Sequence, residues 1–177
     1  MLLLLGVSFI VAATPDSLND VTPMQHLYIM KEIKPGIERV GIVWNPATHD
    51  DAVLTKIRRA ATSLSLQLFL AEVGDLSDIA PQFRTLVRTH KVEVIWVIKN
   101  DGLVDASAGK KFLIENTMKA GIPLFAPSQD WVDNGAFVSL KKQDGNLHLI
   151  VNKSAAAALS LTVPDAYLER TEFLAAN

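Results

Sequence analysis

The chain has 177 residues, 49% hydrophobic and 20% charged, a composition that suits one globular domain with a filled core and excludes a disordered segment. Its 17 Lys and Arg against 19 Asp and Glu leave a net charge of −2, so nothing in the balance points to nucleic acid as a partner. With no cysteine there is no disulfide, thiolate zinc site, iron–sulfur cluster or lipoprotein-type cysteine anchor.

Residues 1–13, MLLLLGVSFIVAA, carry no charge and are too short to span a bilayer as a helix, so no integral membrane span is expected. The small residues of VAA fit the cleavage site of a signal peptide, which implies a periplasmic or otherwise exported protein. VSFIVAA also reads as a buried N-terminal strand, and on that reading the protein is cytoplasmic. The TPMQHLYIMKEIKPG stretch then places Thr22 as N-cap, Pro23 in the first turn and Gln25 three residues on, which predicts a helix over 23–33 ending at Pro35-Gly36.

Beyond it, β-rich runs and helical patterns alternate. ERVGIVWN predicts a strand, and DDAVLTKIRRAATSL a helix with Val53, Leu54, Ile57, Ala61 and Leu64 on one face. LQLFLAEV is a second strand, and SDIAPQFRTLVRTH a helix burying Ile79, Phe83, Leu86 and Val87. VEVIWVI is almost wholly apolar, as a strand covered on both faces must be. ASAGKKFLIENTMKAG predicts a helix stopped by Gly121, IPLFA a strand and SQDWVDNG a helical turn. The rhythm then breaks. Ala136–Leu140 and Leu147–Val151 are two apolar runs joined only by KKQDGN, which predicts a hairpin. NKSAAAALSL and PDAYLERTEFLAA read as two terminal helices.

Such alternation predicts a three-layer α/β/α sandwich around a mostly parallel, flavodoxin-like (Rossmann-like) sheet, with ligands bound at the carboxyl ends of its strands. Those ends are the loops 44–51, 72–78, 98–107 and 126–135. They lack the GxGxxG and Walker motifs of nucleotide sites, and no GxSxG elbow holds a serine nucleophile. The four histidines, His26, His49, His90 and His148, share no metal spacing; His26 and His90 read as ordinary helix residues. Asp50 and Asp51 are accounted for as helix caps. No catalytic set assembles, so the chain reads as a non-enzyme without metal or cofactor. The same loops do supply what a small-molecule binder uses: Asn45, Thr48, Asn100, Asp101, Ser128, Gln129 and Asp130 for hydrogen bonds, with Trp44 and Trp131 as candidate flat walls.

In order, DVTPMQHLYIMKEIKPGIERVGIVWNP, LSDIAPQFRTLV, VEVIWVIKNDGLVDAS, AGIPLFAPSQDWVDNGAFVSL and LIVNKSAAAALSLTVPDAYLERTEFL resemble the ABC transporter substrate-binding proteins of the type I periplasmic-binding-protein fold, some of which are similar to tryptophan- or tyrosine-binding members. The resemblance runs over residues 19–174 and implies the carboxyl-terminal lobe alone. In the family pattern the chain leaves for the other lobe after a motif like GAFVSL and returns at one like LIVN; here KKQDGNLH replaces that excursion. It implies a small solute, here a hydrophobic amino acid, as ligand and an ABC permease as partner, with Asn45, Thr48, Asn100, Asp101, Ser128 and Gln129 at the binding positions. It also leaves open a non-catalytic interaction module that homodimerises through the former interlobe face.

Overall fold

A computed structural model describes residues 20–48, 50–98 and 102–175. The segment 1–13, with its two readings, lies outside the described residues, as do His49, Asn100 and Asp101. Helix α1, Pro23–Ile33, begins and ends where the sequence predicts. The Thr22 hydroxyl accepts from the Gln25 N–H at 3.3 Å and the Gln25 amide oxygen accepts from the Thr22 N–H at 3.0 Å. Two N–H groups that the first turn leaves orphaned are thereby satisfied.

The elements that follow are β1 Arg39–Trp44, α2 Asp51–Ser63, β2 Gln67–Glu72, α3 Leu76–Arg84, β3 Val94–Val97, α4 Ser107–Ala120, β4 Leu124–Ala126 and α5 Gln129–Asp133. Strand β5, Val138–Gln143, turns into β6, Asn146–Asn152; α6, Lys153–Leu159, and β7, Thr171–Leu174, complete the chain. One seven-stranded sheet results, ordered β2-β1-β3-β4-β5-β6-β7. The pairs from β2 to β5 are parallel, β5 and β6 are antiparallel, and β7 runs parallel to β6. The mostly parallel α/β sandwich is therefore as expected.

Both sheet faces are covered, and strand side chains alternate between two apolar clusters. Val40, Ile42, Trp44, Val94, Trp96 and Ile98 pack beneath α1 and α2. Val43, Ile95, Val97, Leu124 and Ala126 pack beneath α3, α4 and α5.

Three local results differ from the sequence expectation. The third helix does not stay α-helical: Thr85–Thr89 form a π-helical turn, with the His90 N–H donating to the Thr85 carbonyl at 3.1 Å. The wider turn seats Leu86 over Gly41, where a Cβ on the glycine would lie 3.1 Å from Leu86 Cδ1 and 3.2 Å from a Val92 methyl. Second, the hairpin turn is only Asp144-Gly145, at φ 52° and 76°, the mirror-image turn that matches strand twist. The lysines expected in the turn belong to β5. Third, residues 164–175 do not form the expected α-helix. Asp165–Arg170 are a 3-10 helix followed by β7, because Thr171–Leu174 complete the open edge of β6.

Gly109, in the first turn of α4, lies where a Cβ would meet Ile79 Cδ1 at 2.9 Å and the Val104 carbonyl oxygen at 3.0 Å. The isoleucine tip can move; the carbonyl belongs to the backbone of a strand-end loop. Gly109→Ala is expected to lower stability by about 1–3 kcal/mol through overpacking, outweighing the roughly 1 kcal/mol of helix propensity it gains. Chemical unfolding checks this, and an alanine variant as stable as the parent refutes it.

Candidate functional site

Strand β4 is short, and that shapes the carboxyl end of the sheet. Its last residue, Ala126, pairs with Ser139, leaving β5 to run on through Leu140, Lys141 and Lys142 with no β4 neighbour. At strand rise the step from Ser139 to Gln143 lifts the hairpin roughly 13 Å above the end of β4. The hairpin is thus one wall of a crevice that is also lined by the residues just past β4, Pro127 to Gln129, and by the end of β3.

A cavity of about 600 Å³ occupies this crevice, within the range of about 300–1,000 Å³ usual for small-molecule sites. Helix α1 reaches it with Pro23 and His26, and α2 with Val53 and Lys56. Trp96 lines it from β3, Ile98 from just past that strand, and Ser128 and Gln129 from the loop after β4. Ser139, Lys141 and Lys142 line the hairpin side. Asp20 is the acidic residue at the rim; three lysines therefore face one carboxylate. Lys141 is paired with Glu172 of β7 at 3.3 Å.

His26 stacks on Trp96, with ring centroids 4.8 Å apart and planes 23° apart. Its Nδ1 lies 3.2 Å from the Thr22 carbonyl oxygen, one turn earlier on the same helix. Burial lowers the His26 pKa to about 4, and the Thr22 hydrogen bond opposes this only in part. The imidazole is neutral at pH 7.

The sign of the stability effect follows. The unfolded imidazole takes up a proton near its ordinary pKa of about 6.5, while the folded one does so only near 4. Stability is level above about pH 6.5 and falls as the pH drops toward 4, by on the order of 2–3 kcal/mol after allowance for partial solvent access. Lys56, Lys141, Lys142 and Asp20 line the same cavity, but burial is the larger cause of the shift. In urea unfolding at several pH values, His26→Phe is expected to lose this acid slope. An unchanged slope assigns the effect elsewhere.

The residues expected at the site separate into two groups. Ser128 and Gln129 line the cavity and are exposed; Ser128 caps α5 by position, with no side-chain capping bond. Asn45, by contrast, is buried, and its Oδ1 accepts from the Ala47 N–H at 2.9 Å. Its carbonyl accepts from the Thr48 N–H at 3.2 Å and from the Thr48 hydroxyl at 3.3 Å. Asn45 and Thr48 thus shape the loop after β1 and are not among the cavity-lining residues. Asp130 pairs with Lys110, joining α5 to α4.

The tryptophans require a correction. Trp44 and Trp131 belong to the two cores and are not among the cavity-lining residues, so neither offers a wall to a ligand; Trp96 is as deeply buried, at 4% exposed, but borders the cavity behind His26. Trp131 Nε1 donates to Asp105 Oδ1 at 2.7 Å, tying α5 to the loop after β3. The aromatic wall is Trp96 with His26. A signal for Trp96 was present, since it is the bulky aromatic nearest the carboxyl end of the most apolar strand. His26, mid-helix, carried no such mark.

A second cavity, of about 680 Å³, opens at the opposite end of the sheet between α4, α6 and the α5–β5 junction. Several of its polar groups are engaged: Glu115 pairs with Lys119 at 3.8 Å, and Asn152 bonds Val132 and Ala155. It also lies at the amino ends of the parallel strands, away from the loops that serve ligands in such sheets. Among the described residues no His, Cys, Asp and Glu side chains group as metal ligands, and no helix is long and apolar enough to cross a membrane.

The sheet order and the crevice at the strand ends define one lobe of a periplasmic-binding-protein fold. The chain belongs to the ABC transporter substrate binding protein family, which it matches over residues 16–147. Three solved structures share the fold. A conserved domain protein from Vibrio cholerae is 23% identical with a TM-score of 0.71, over 87% of this chain and 60% of its own. The ABC domain from Streptococcus pneumoniae in complex with L-Trp has 16% identity and a TM-score of 0.72, over 86% and 60%. A ligand-free, open substrate binding protein with adhesive properties from Clostridium difficile has 15% identity and a TM-score of 0.73, over 90% and 61%. The chain thus spans about 60% of the length of these proteins. No curated protein matches it in sequence.

Proposed function

We propose that this lobe binds a small solute, of the hydrophobic amino-acid class, in the crevice over β4, and that it does so without catalysing a reaction. The observation that carries the reading is the His26–Trp96 stack beside Ser128 and Gln129 in a cavity of ligand size. A flat apolar surface next to hydrogen-bonding groups and a cationic hairpin suits a molecule with one apolar and one anionic end. The L-Trp complex of the Streptococcus pneumoniae relative supports the choice of class. Asn100 and Asp101, in the loop after β3, are proposed as further contacts, and Asn45 and Thr48 as the residues that shape the neighbouring loop. Substrate-binding proteins usually work outside the cytoplasm, and an exported location with an ABC permease as partner is the corresponding proposal here.

Titration with aromatic and aliphatic amino acids, followed by thermal shift and by intrinsic fluorescence, tests this directly. Trp96 lines the cavity, so occupancy is expected to change emission as well as raise Tm. Flat responses up to millimolar solute refute the reading.

Met24 and Tyr28, 40% and 46% exposed on α1, favour a second reading in which another polypeptide covers this side of the lobe. A second copy of the chain is the simplest such partner. Light scattering that finds a monomer at every concentration removes the homodimer.

A further inference from the structure

We propose that His26 determines specificity in this cavity: its ring, held against Trp96 and hydrogen-bonded to Thr22, offers Nε2 as an acceptor and so selects a solute that presents an N–H donor. This rests on the solute-binding reading and adds the chemistry the solute must carry.

The argument begins with the tautomer. The Thr22 carbonyl oxygen has no proton to give, so the 3.2 Å contact requires that Nδ1 carry the hydrogen. A neutral imidazole holds one such hydrogen, which leaves Nε2 with a free lone pair. The Nδ1 edge is turned back onto the first turn of α1, and one ring face is stacked on Trp96. His26 nonetheless lines the cavity. Of the ring atoms left to face the cavity, Nε2 is the one able to accept a hydrogen bond. Two constraints hold the ring in this pose, so acceptance at Nε2 demands little reorganisation when a solute arrives.

The remaining charges carry a small positive excess: Lys56, Lys141 and Lys142 stand against Asp20 and against Glu172, which is paired with Lys141, and so favour an anionic group on the same solute. An N–H donor for His26 and an anionic group for the lysines describe a molecule that carries both. An ammonium group and an aromatic ring N–H both satisfy the His26 end, and the test separates them.

The probes are L-tryptophan, 1-methyl-L-tryptophan, indole-3-propionate and 1-methylindole-3-propionate. They carry, in turn, both donors, the ammonium alone, the ring N–H alone, and neither. Dissociation constants are measured for the parent, His26→Phe and His26→Gln. Phenylalanine keeps a flat ring over Trp96 without an acceptor; glutamine keeps an acceptor. His26→Phe is expected to weaken L-tryptophan about tenfold, the size of one hydrogen bond, while leaving 1-methylindole-3-propionate within a factor of about two. Glutamine is expected to recover most of the loss. The single-donor probe that loses affinity identifies the group His26 receives.

Equal loss on all four probes, or none on L-tryptophan, overturns the inference and leaves solute binding intact. If the parent binds none of the probes, the solute class falls and the inference with it. Independently of any solute, nitrogen-15 spectra of the parent at pH 7 are expected to show the neutral Nδ1–H tautomer; the Nε2–H tautomer overturns the inference.

Discussion

Trp131→Ala is expected to lower the unfolding free energy by about 3–5 kcal/mol, the range for removing a buried large aromatic. The side chain is 1% exposed and packs among Val97, Val104, Leu113 and Ala136 on the α4 face of the sheet. Truncation leaves a cavity under α5, whose other buried residue is the smaller Val132. It also strips Asp105 of its 2.7 Å hydrogen bond, loosening the loop after β3. Trp131→Phe separates the two effects, since it retains most of the packing and loses only the bond, at about 1–2 kcal/mol. Because Ser128 and Gln129 lead into α5, the alanine variant is also expected to bind solute more weakly where it remains folded. Urea midpoints check the stability, and a midpoint shared by Ala and Phe variants shows that ring volume is not what holds α5.

The second large effect is expected at Asn152, where β6 passes into α6. The side chain is 4% exposed and works in both directions: Nδ2 donates to the Val132 carbonyl at 3.0 Å, and Oδ1 accepts from the Ala155 N–H at 2.9 Å. One residue thus caps α6 and ties it to the end of α5. Asn152→Leu removes both bonds and leaves the Ala155 N–H unpaired, while the Val132 carbonyl keeps the Gly135 N–H at 3.0 Å, for an expected loss of about 1–3 kcal/mol. Asn152→Asp keeps the cap but turns an acceptor toward the Val132 carbonyl, so it is expected to fall between leucine and the parent. Thermal unfolding that ranks aspartate below leucine contradicts this assignment.

Much of the fold was legible because its signals are local. Thr22, Pro23 and Gln25 mark the start of α1 through contacts spanning three residues. Asp144-Gly145 between two apolar runs is a hairpin wherever it occurs, because few other residues adopt the left-handed turn conformation. The same locality explains the failures. Glu172 and Phe173 carry no distinctive pattern, and they become strand because β6 has an unpaired edge beside them. The π-helical turn exists because Leu86 must sit over Gly41, a contact between positions far apart in sequence.

The site was legible by location and not by membership. The loops at the strand carboxyl ends were identified from alternation alone, and Ser128 and Gln129 lie where that reasoning puts them. Asn45 looks identical in sequence whether or not it closes its own loop; the 2.9 Å contact to Ala47 places its Oδ1 in that loop's own hydrogen bonding. Trp44 and Trp131 likewise sit beside strand-end loops yet turn inward.

The sequence by itself determined the alternation of elements, the parallel character of the sheet and the hairpin, each from hydrophobic period, capping and turn chemistry within a short window. The family followed instead from the order of its motifs along the chain. Only the tertiary structure decided that β4 stops short, that β5 and β6 rise beside it, and that a helix histidine meets a strand tryptophan 70 residues away across the opening. Those outcomes depend on which face each element buries against another, and side-chain packing is settled between elements, not within them.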